Sequence, residues 1–422
     1  MFSLESLKTN FLKNKILVEN FTFLSVLQVS NLALFIITIP YLFRILGSQN
    51  YGLTVFAQTA AFYFSIFINF GFNLTATRDI SVNRDDSSKV TEIVSSVLTI
   101  KLIIFVVSVL LMTLLTFSIP QLREHRILFL LSMLACLSEA LYPVWYFQGI
   151  EKMKYITFIN VTARVLATIL VFVVIMVPGD YIIYPLVLGI GTVTGAILGL
   201  LIVFVRHHVR FRFQSLATLR FYLNDNILYF FSNVSTQIYV NANKIIVGAF
   251  LGMVEVAYYD VAEKVINILK VPYALLSQTL FPKVAHDRNT SMLKRTMWVS
   301  VFLTFFVIIL LFLFSEKIVL ILSGTNNHSA VVLMRILSIS LIPIALGLYY
   351  GDLILINFGL KSEYLLMRIF GLVFYLLFFL ILYTTRQLGI FQIAIMIVAV
   401  EFFIVSYSYF LCRKINQAVS WL

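Results

Sequence analysis

Residues 256–281 read VAYYDVAEKVINILKVPYALLSQTLF. As a helix this stretch is long enough to cross a bilayer, which takes about 20 residues. Six polar or charged side chains interrupt it, namely Asp260, Glu263, Lys264, Asn267, Lys270 and Gln278. At about 100° per residue all six fall on one face, opposite the aliphatic residues. An ionised side chain at the bilayer centre costs about 2.5–3.5 kcal/mol. This face is therefore predicted to meet water or a paired partner inside a helix bundle.

The composition is that of a membrane protein. Of the 422 residues, 61% are hydrophobic and only 12% are charged, against about 25% charged residues in a typical soluble domain. Apolar runs of spanning length recur along the chain, which excludes a soluble domain with a single anchor. We therefore expect an all-α integral membrane protein. The net charge of +12 then reflects loop charges at a membrane surface, and we expect no nucleic-acid partner.

Twelve apolar stretches are expected to span the membrane. They lie near residues 20–44, 53–73, 93–118, 127–148, 155–177, 182–205, 224–249, 256–281, 294–315, 329–356, 363–384 and 389–411. The connections on the side of the N-terminus hold nineteen Lys and Arg residues, whereas those on the other side hold five. Such an excess marks the cytoplasmic side. Both termini are therefore predicted to be cytoplasmic, with an uncleaved first helix.

The longest connection on that side, residues 206–226, separates six predicted spans from six others. A Leu-Gly pair followed by a tyrosine occurs after the first span, at Leu46-Gly47 and Tyr51, and again after the seventh, at Leu251-Gly252. An even number of spans between the two copies makes the halves parallel. We predict two parallel six-helix lobes around a central cleft. The N-terminal lobe is residues 1–205, the cytoplasmic linker 206–220 and the C-terminal lobe 221–422.

Polar residues within the spans are the candidate site. The cations that we expect to bind substrate in the cleft are Arg164, Lys244, Lys264 and Lys270. The neutral polar side chains expected to line it are Asn233, Gln237, Asn267 and Gln278. The carboxylates that could carry coupling ions are Glu139, Asp260, Glu263 and Glu401.

Structural interpretations compete with these roles. Lys101, Lys244, Arg335 and Arg368 lie close enough to predicted helix ends for their side chains to reach the interface. Asp260 and Lys264 are four residues apart and could simply neutralise each other. Arg164 and Lys270 lie deeper in their predicted helices, where a side chain can reach the membrane interface only in a strained conformation. They are therefore the preferred functional cations.

No cofactor or metal is expected. The two cysteines, Cys136 and Cys412, lie far apart in apolar segments, and the five histidines lie in loops without metal-ligand spacing. The chain contains no nucleotide-binding G-x-x-x-x-G-K-[ST] loop. The connections predicted on the outer side are short, which leaves no room for an extramembrane catalytic domain.

Residues 143–153, PVWYFQGIEKM, resemble the W-x-F-Q-G-x-E-x-M signature that closes the fourth helix of bacterial polysaccharide flippases, the Wzx-type O-antigen translocases. The Leu-Gly and Tyr-Gly residues after the first span and Tyr259-Asp260-Val261-Ala262-Glu263-Lys264 resemble other recurrent segments of this family. One position departs from it, because Asn243 stands where the family often has an acidic residue. That difference weakens a proton-linked role for position 243.

The resemblance implies a fold like that of the multidrug-and-toxin extruders (MATE), the superfamily that also includes lipid II flippases. It implies a transporter, not an enzyme, that flips an undecaprenyl-diphosphate-linked O-antigen or capsule repeat unit from the inner to the outer leaflet of the bacterial cytoplasmic membrane by alternating access. The lipid-linked glycan and the bilayer are then partners, together with a polysaccharide polymerase and a chain-length regulator.

Two other functions remain open from the sequence. One is a cation-coupled extruder of drugs or metabolites in the same superfamily, which predicts acidic deep charges. The other is a membrane glycosyltransferase, polymerase or ligase, which predicts catalytic carboxylates or histidines on a large outer loop.

Overall fold

The computed structural model describes residues 4–287, 290–356 and 360–416. Within the helices it leaves out the side chains of residues 4–18, 21, 24, 35, 228, 232, 278, 279, 281–283, 285–287, 290, 291, 361 and 414–416. All regular structure in the described residues is helical, as predicted from the composition.

Sixteen α-helices are described. They are α1 (Leu4–Asn69), α2 (Phe72–Val82), α3 (Ser87–Ser118), α4 (Pro120–Arg123), α5 (Arg126–Ser132), α6 (Leu134–Leu141), α7 (Val144–Gly149), α8 (Met153–Val174), α9 (Tyr184–Leu201), α10 (Leu216–Phe250), α11 (Met253–Asp287), α12 (Thr290–Ser323), α13 (His328–Ser338), α14 (Leu341–Gly347), α15 (Lys361–Thr384) and α16 (Ile390–Asn416). A 3-10 turn covers Pro178–Ile182, and π-helical turns follow α9 at Ile202–Arg206 and α14 at Leu348–Leu355.

The helices form two compact units. One comprises Met1–Leu46 and Ala57–Asn233, and the other comprises Gly47–Phe56 and Val234–Leu422. We call them unit 1 and unit 2. A short segment of α1, Gly47–Phe56, thus belongs to unit 2, although the chain on both sides of it belongs to unit 1. The lobe boundaries predicted from the sequence stay a prediction.

Each of the twelve predicted spans is mainly helical. Within the described residues, nine helical stretches are long and apolar enough to cross a membrane, and one of them, Ser25–Val82, covers most of the first predicted span and all of the second. The seventh and eighth spans lie in α10 and α11, which are 35 residues long each but carry the most polar faces. The protein is therefore a multi-pass membrane protein.

Helix ends follow local sequence signals. The side chain of Asp86 accepts the backbone N–H groups of Ser88 and Lys89, and so caps the start of α3. Gly47 has φ 73°, and Gly252, between α10 and α11, has φ 109°. Glycine adopts this left-handed region without steric cost. Both Leu-Gly pairs singled out in the sequence therefore mark helix interruptions.

The fourth predicted span is broken where a single helix was expected. α6 ends at Leu141, the next residue Tyr142 has an extended backbone (φ −75°, ψ 115°), and a new helix, α7, begins after Pro143. A residue before proline is pushed out of the helical region by the proline ring. This break lets α7 pack against α2.

Candidate functional site

A buried charge cluster occupies unit 2 where α10, α11 and the Gly47–Phe56 segment meet. We call it the Asp260 cluster, and its members are Tyr51, Lys244, Asp260, Glu263 and Lys264. Lys264 Nζ lies 2.7 Å from Asp260 Oδ2. Lys244 Nζ lies 3.1 Å from Asp260 Oδ1 and 2.7 Å from Glu263 Oε2. The Tyr51 hydroxyl donates to Asp260 Oδ2 over 2.8 Å and accepts from Lys264 Nζ over 3.0 Å.

The Asp260 cluster is balanced and largely removed from solvent. Two ammonium groups face two carboxylates, and the Asp260 side chain is only 1% exposed, against 27% for Lys264. A lone buried charge would be costly, whereas a pair that is also hydrogen-bonded recovers much of its desolvation cost. Lys244 and Lys264 are therefore neutralised where they lie.

Glycine makes the approach of the Gly47–Phe56 segment geometrically feasible. A Cβ added to Gly52 would lie 1.7 Å from the carbonyl oxygen of Met253, and one added to Gly248 would lie 2.3 Å from the Phe56 ring. Any side chain at these positions would separate the backbones. The two glycines thus bring Tyr51 within hydrogen-bonding distance of α11.

A second polar cluster in unit 2 is centred on Arg368 of α15. Its guanidinium donates to the hydroxyls of Tyr239 (3.0 Å) and Tyr364 (2.9 Å) and lies 3.7 Å from Asp352 Oδ1. The Tyr364 hydroxyl donates to the same Asp352 oxygen over 3.1 Å. The sequence alone is equally compatible with an Arg368 side chain that reaches the membrane interface. The signal that could have identified this cluster is Asp352, a carboxylate within an apolar span.

Lys270 is the central residue of α11, which runs from Met253 to Asp287. It is half-buried, and in the described part of the chain it forms no ion pair. Its electrostatic neighbour is Glu401 of α16, which also interacts with Arg368. One turn before Lys270, Asn267 is exposed. A cation and an amide are thus presented together halfway along the helix.

The charges of unit 1 are arranged differently. Lys101 has a fully buried side chain and lies 3.3 Å from Glu139 Oε1, which also accepts a 2.7 Å hydrogen bond from Asn69 Nδ2. Lys101 therefore does not reach the interface. Arg164, near the middle of α8, is exposed and has no carboxylate partner among the described residues.

The structure brings the remaining predicted polar residues only partly together. Asn233 and Gln237 are half-buried on α10, and the Gln237 amide oxygen accepts a 2.8 Å hydrogen bond from Asn241. Gln278 lies outside the described side chains. Asn243, the position that departs from the family pattern, is buried and accepts a 2.9 Å hydrogen bond from the Tyr375 hydroxyl. The roles assigned to all these residues stay predictions.

The W-x-F-Q-G signature forms α7 and the core of unit 1. Trp145 and Phe147 are fully buried. A Cβ on Gly149 would lie 2.6 Å from the Ile80 side chain of α2, and Gln148 accepts a 3.2 Å hydrogen bond from the Thr77 hydroxyl. The signature thus packs α7 against α2. Among the described residues no group of three or more His, Cys, Asp or Glu side chains could hold a metal ion.

Known proteins share both sequence and fold with this chain. Residues 17–287 match the family described as "Polysaccharide biosynthesis protein". A protein named "Putative O-antigen transporter" from Escherichia coli (strain K12) is 28% identical over 352 residues, which cover 82% of this chain and 85% of that protein.

Two solved structures share the fold. A multidrug resistance MATE family transporter of the MOP superfamily, inward-facing, superposes with a TM-score of 0.74 at 15% identity, covering 93% of this chain and 95% of that one. The lipid II flippase MurJ, inward closed, superposes with a TM-score of 0.71 at 16% identity, covering 94% and 87%. The MATE-like fold and the family recognised from the sequence are confirmed. Because the family match spans well over half of its length, the chain belongs to the polysaccharide biosynthesis protein family.

Proposed function

We propose that this protein flips an undecaprenyl-diphosphate-linked oligosaccharide from the inner to the outer leaflet of the bacterial cytoplasmic membrane by alternating access. The relatives support a transporter rather than an enzyme, since one is named as an O-antigen transporter and a structural neighbour is a lipid II flippase. The observation in this chain that carries the proposal is Lys270, a cation at the centre of α11 without an ion-pair partner in the described residues.

The chemistry of the cargo explains why a cation is needed there. A diphosphate group is anionic, and moving an unpaired ion into hydrocarbon carries a large desolvation penalty. A cation at about 4 Å stabilises an anion by about 4 kcal/mol at the effective dielectric constant near a protein surface. Lys270, at the centre of α11, can supply that stabilisation, while the Asn267 amide hydrogen-bonds sugar hydroxyls. Arg164 of unit 1, which has no carboxylate partner among the described residues, offers a second cation.

Lys244 and Lys264 have a weaker claim as substrate cations. Both already pair with Asp260 or Glu263, so binding the cargo would first require these ion pairs to break. Lys270 is paired with no described carboxylate, so it can bind a phosphate without that cost. We therefore rank Lys270 and Arg164 above Lys244 and Lys264.

Coupling to an ion gradient is a separate part of the proposal. Asp260, Glu263 and Glu139 all form ion pairs, whereas Glu401 forms none in the described residues. Glu401 is thus the carboxylate most readily available to exchange a proton. Glu401→Gln should make transport indifferent to an imposed proton gradient, whereas gradient-stimulated transport in that variant would remove Glu401 from the mechanism.

The test of the diphosphate cation is transport by Lys270→Ala. The purified variant would be reconstituted in vesicles with a fluorescent polyprenyl-diphosphate oligosaccharide, and the fraction reaching the opposite leaflet would be followed with a membrane-impermeant reagent. We expect transport to fall about tenfold or more, since each 1.36 kcal/mol is worth a factor of ten, and Lys270→Arg to retain much of it.

Two controls sharpen this test. Lys317→Ala removes a lysine near the C-terminal end of α12. This variant should leave transport unchanged. A neutral polyprenyl-linked oligosaccharide should be moved equally by the parent protein and by Lys270→Ala. Full transport of the diphosphate substrate by Lys270→Ala would exclude the proposed role. Export of cationic dyes without any movement of the lipid-linked sugar would instead support a drug extruder.

A further inference from the structure

The linker between the two halves of the sequence presents an exposed basic and aromatic surface. After the π-helical turn ends at Arg206, residues 207–215 are non-helical, and α10 begins at Leu216. We define the linker surface as Arg210, Phe211, Arg212, Phe213, Leu216 and Arg220. All six are exposed. The Phe213 side chain is 92% exposed and that of Leu216 is 85% exposed, which is costly for apolar groups in water.

The positive charge of this surface is not compensated locally. No acidic residue occurs between Asp180 and Asp225, and Asp225 pairs with Arg78 at 3.0 Å. In the part of the chain that the structure describes, Arg210, Arg212 and Arg220 form no ion pairs. The surface therefore offers three guanidinium groups that no described carboxylate neutralises.

His207, just before the linker surface in the sequence, also lies among cations. Burial lowers the pKa of His207, and the charges of Lys152, Arg206 and His208 lower it further. No carboxylate contributes to this shift. Cations at the start of α8 and at the end of the π-helical turn thus lie near His207, which is close to the linker surface in the sequence.

The linker is held at the depth where a bilayer meets water. The backbone N–H of Arg212 donates to the Ser95 hydroxyl over 3.0 Å, and Val209 is buried in the apolar core of unit 1. Ser95 lies in α3, whose first turns carry Lys89 and Glu92 and whose sequence is mainly apolar from residue 93 onward, with Lys101 as its one charged residue there. That change marks the edge of the hydrocarbon region.

We propose that the linker surface binds the anionic headgroups of phospholipids, with Arg210, Arg212 and Arg220 on the phosphates and Phe213 and Leu216 inserted at the start of the acyl chains. Guanidinium groups bind phosphate bidentately. Clustered basic residues beside apolar ones at a membrane boundary bind anionic lipid surfaces. The lipid would fix the linker that joins the first six spans to the last six.

A phospholipid surface fits these observations better than a soluble partner does. Phe213 is exposed, and the residue before it is hydrogen-bonded to Ser95 of the apolar helix α3. Its ring packs edge-on against Phe211 at 5.4 Å, and Arg210 and Arg212 flank the pair in the sequence. This alternation of cations and rings matches a headgroup layer, in which phosphates and the first methylene groups lie side by side.

Lipid retention by the full-length protein tests the charge component. The protein would be purified from membranes, exchanged into mixed phosphatidylglycerol and phosphatidylcholine, and analysed by native mass spectrometry. Arg210→Gln/Arg212→Gln should retain at least about tenfold less phosphatidylglycerol than the parent protein, given the usual contribution of each arginine near a membrane surface. Arg123→Gln/Arg126→Gln, with the same change of charge elsewhere in unit 1, should retain as much as the parent.

If both double variants lost phosphatidylglycerol equally, the linker surface would not be the lipid-binding site, because any exposed arginine would then bind the lipid. Displacement of the retained lipid by millimolar inorganic phosphate would also overturn it, since the arginines would then bind phosphate rather than a lipid surface.

A spin label tests the apolar component. A label at Phe213→Cys should be shielded from a water-soluble nickel complex in vesicles containing phosphatidylglycerol, as should a label at Phe158→Cys on α8. A label at Gly179→Cys should remain accessible. Adding Arg210→Gln/Arg212→Gln should raise the accessibility of position 213. Full accessibility of position 213 in the parent protein would exclude insertion into lipid.

Discussion

The hydroxyl of Tyr51 donates a 2.8 Å hydrogen bond to Oδ2 of Asp260, 209 positions further along the chain. The same hydroxyl accepts from Lys264, whose Nζ also lies 5.5 Å from the Tyr51 ring centroid. Tyr51 thus links a carboxylate to a cation within unit 2. A charge-assisted hydrogen bond of this kind contributes about 1.5–3 kcal/mol.

Tyr51→Phe should therefore destabilise the protein by about 1.5–3 kcal/mol. The ring keeps its contact with Lys264, whereas the hydroxyl's hydrogen bonds to Asp260 and Lys264 are lost. Thermal unfolding in detergent would measure the effect. Tyr383→Phe, which changes an exposed tyrosine of α15, is the control and should have little effect. Equal stability of Tyr51→Phe and the parent would mean that water replaces the hydroxyl.

The pair formed by Asp260 and Lys264 should show strong coupling in a double-mutant cycle. Asp260→Asn leaves Lys264 without its 2.7 Å partner, and breaking a buried pair costs about 3–5 kcal/mol. Adding Lys264→Gln should recover part of that loss, because Lys244 and Glu263 still pair at 2.7 Å. Additive effects in the double variant would show that the two charges do not interact.

An exposed pair provides the comparison for that cycle. Arg335 lies 3.3 Å from Glu316, whose side chain is 64% exposed. Glu316→Gln should therefore cost less than about 1 kcal/mol. A cost equal to that of Asp260→Asn would show that burial does not set the energy of these pairs.

Gly52→Ala should prevent the Gly47–Phe56 segment from docking on α11. Its Cβ would overlap the carbonyl oxygen of Met253 at 1.7 Å and approach the backbone nitrogen of Ala257 at 3.2 Å. Backbone cannot move aside as a flexible side chain can, so we expect a loss of more than about 3 kcal/mol. Gly179→Ala meets nothing within 4 Å and is the matched control. Cellular protein level and thermal unfolding would measure both.

The helices were predictable because hydropathy reports the membrane directly. It does not report where helices begin and end, so α10 starts at Leu216, eight residues before the predicted span. Nor does it detect a break such as the one at Pro143, because the flanking residues are equally apolar. The proline itself is the local signal for that break.

The site was predictable only where its partners are close in sequence. Spacing alone suggested that Asp260 and Lys264 pair, since residues four apart share a helix face. The contribution of Tyr51 could not be predicted, because a contact across 209 positions depends on tertiary packing. The same holds for Arg368, whose partners Tyr239 and Asp352 lie on two other helical elements.

The turn between α8 and α9 should loosen in acid. Asp180 accepts the backbone N–H groups of Met176 (2.8 Å) and Val177 (2.9 Å), and these bonds hold its pKa below the ordinary value of 3.8. Because the folded pKa is the lower one, the stabilisation is complete above 3.8 and is lost as the pH falls through the folded pKa. Hydrogen exchange of these two amides should therefore accelerate in that window, after correction for intrinsic rates. In Asp180→Asn the protection should not titrate.

Glu139→Gln should destabilise unit 1 more than replacing the whole ion pair does. Lys101 is fully buried beside Glu139, so the single change leaves an ammonium group without its counter-charge, at a cost of about 3–5 kcal/mol. Lys101→Met/Glu139→Gln removes both charges and keeps an acceptor for Asn69, so it should be closer to the parent protein in thermal unfolding. If the pair also carries transport, the double variant would fold normally and fail to move the lipid-linked sugar. If Glu139→Gln alone matched the parent in stability, Lys101 would have to be neutral or hydrated where it lies.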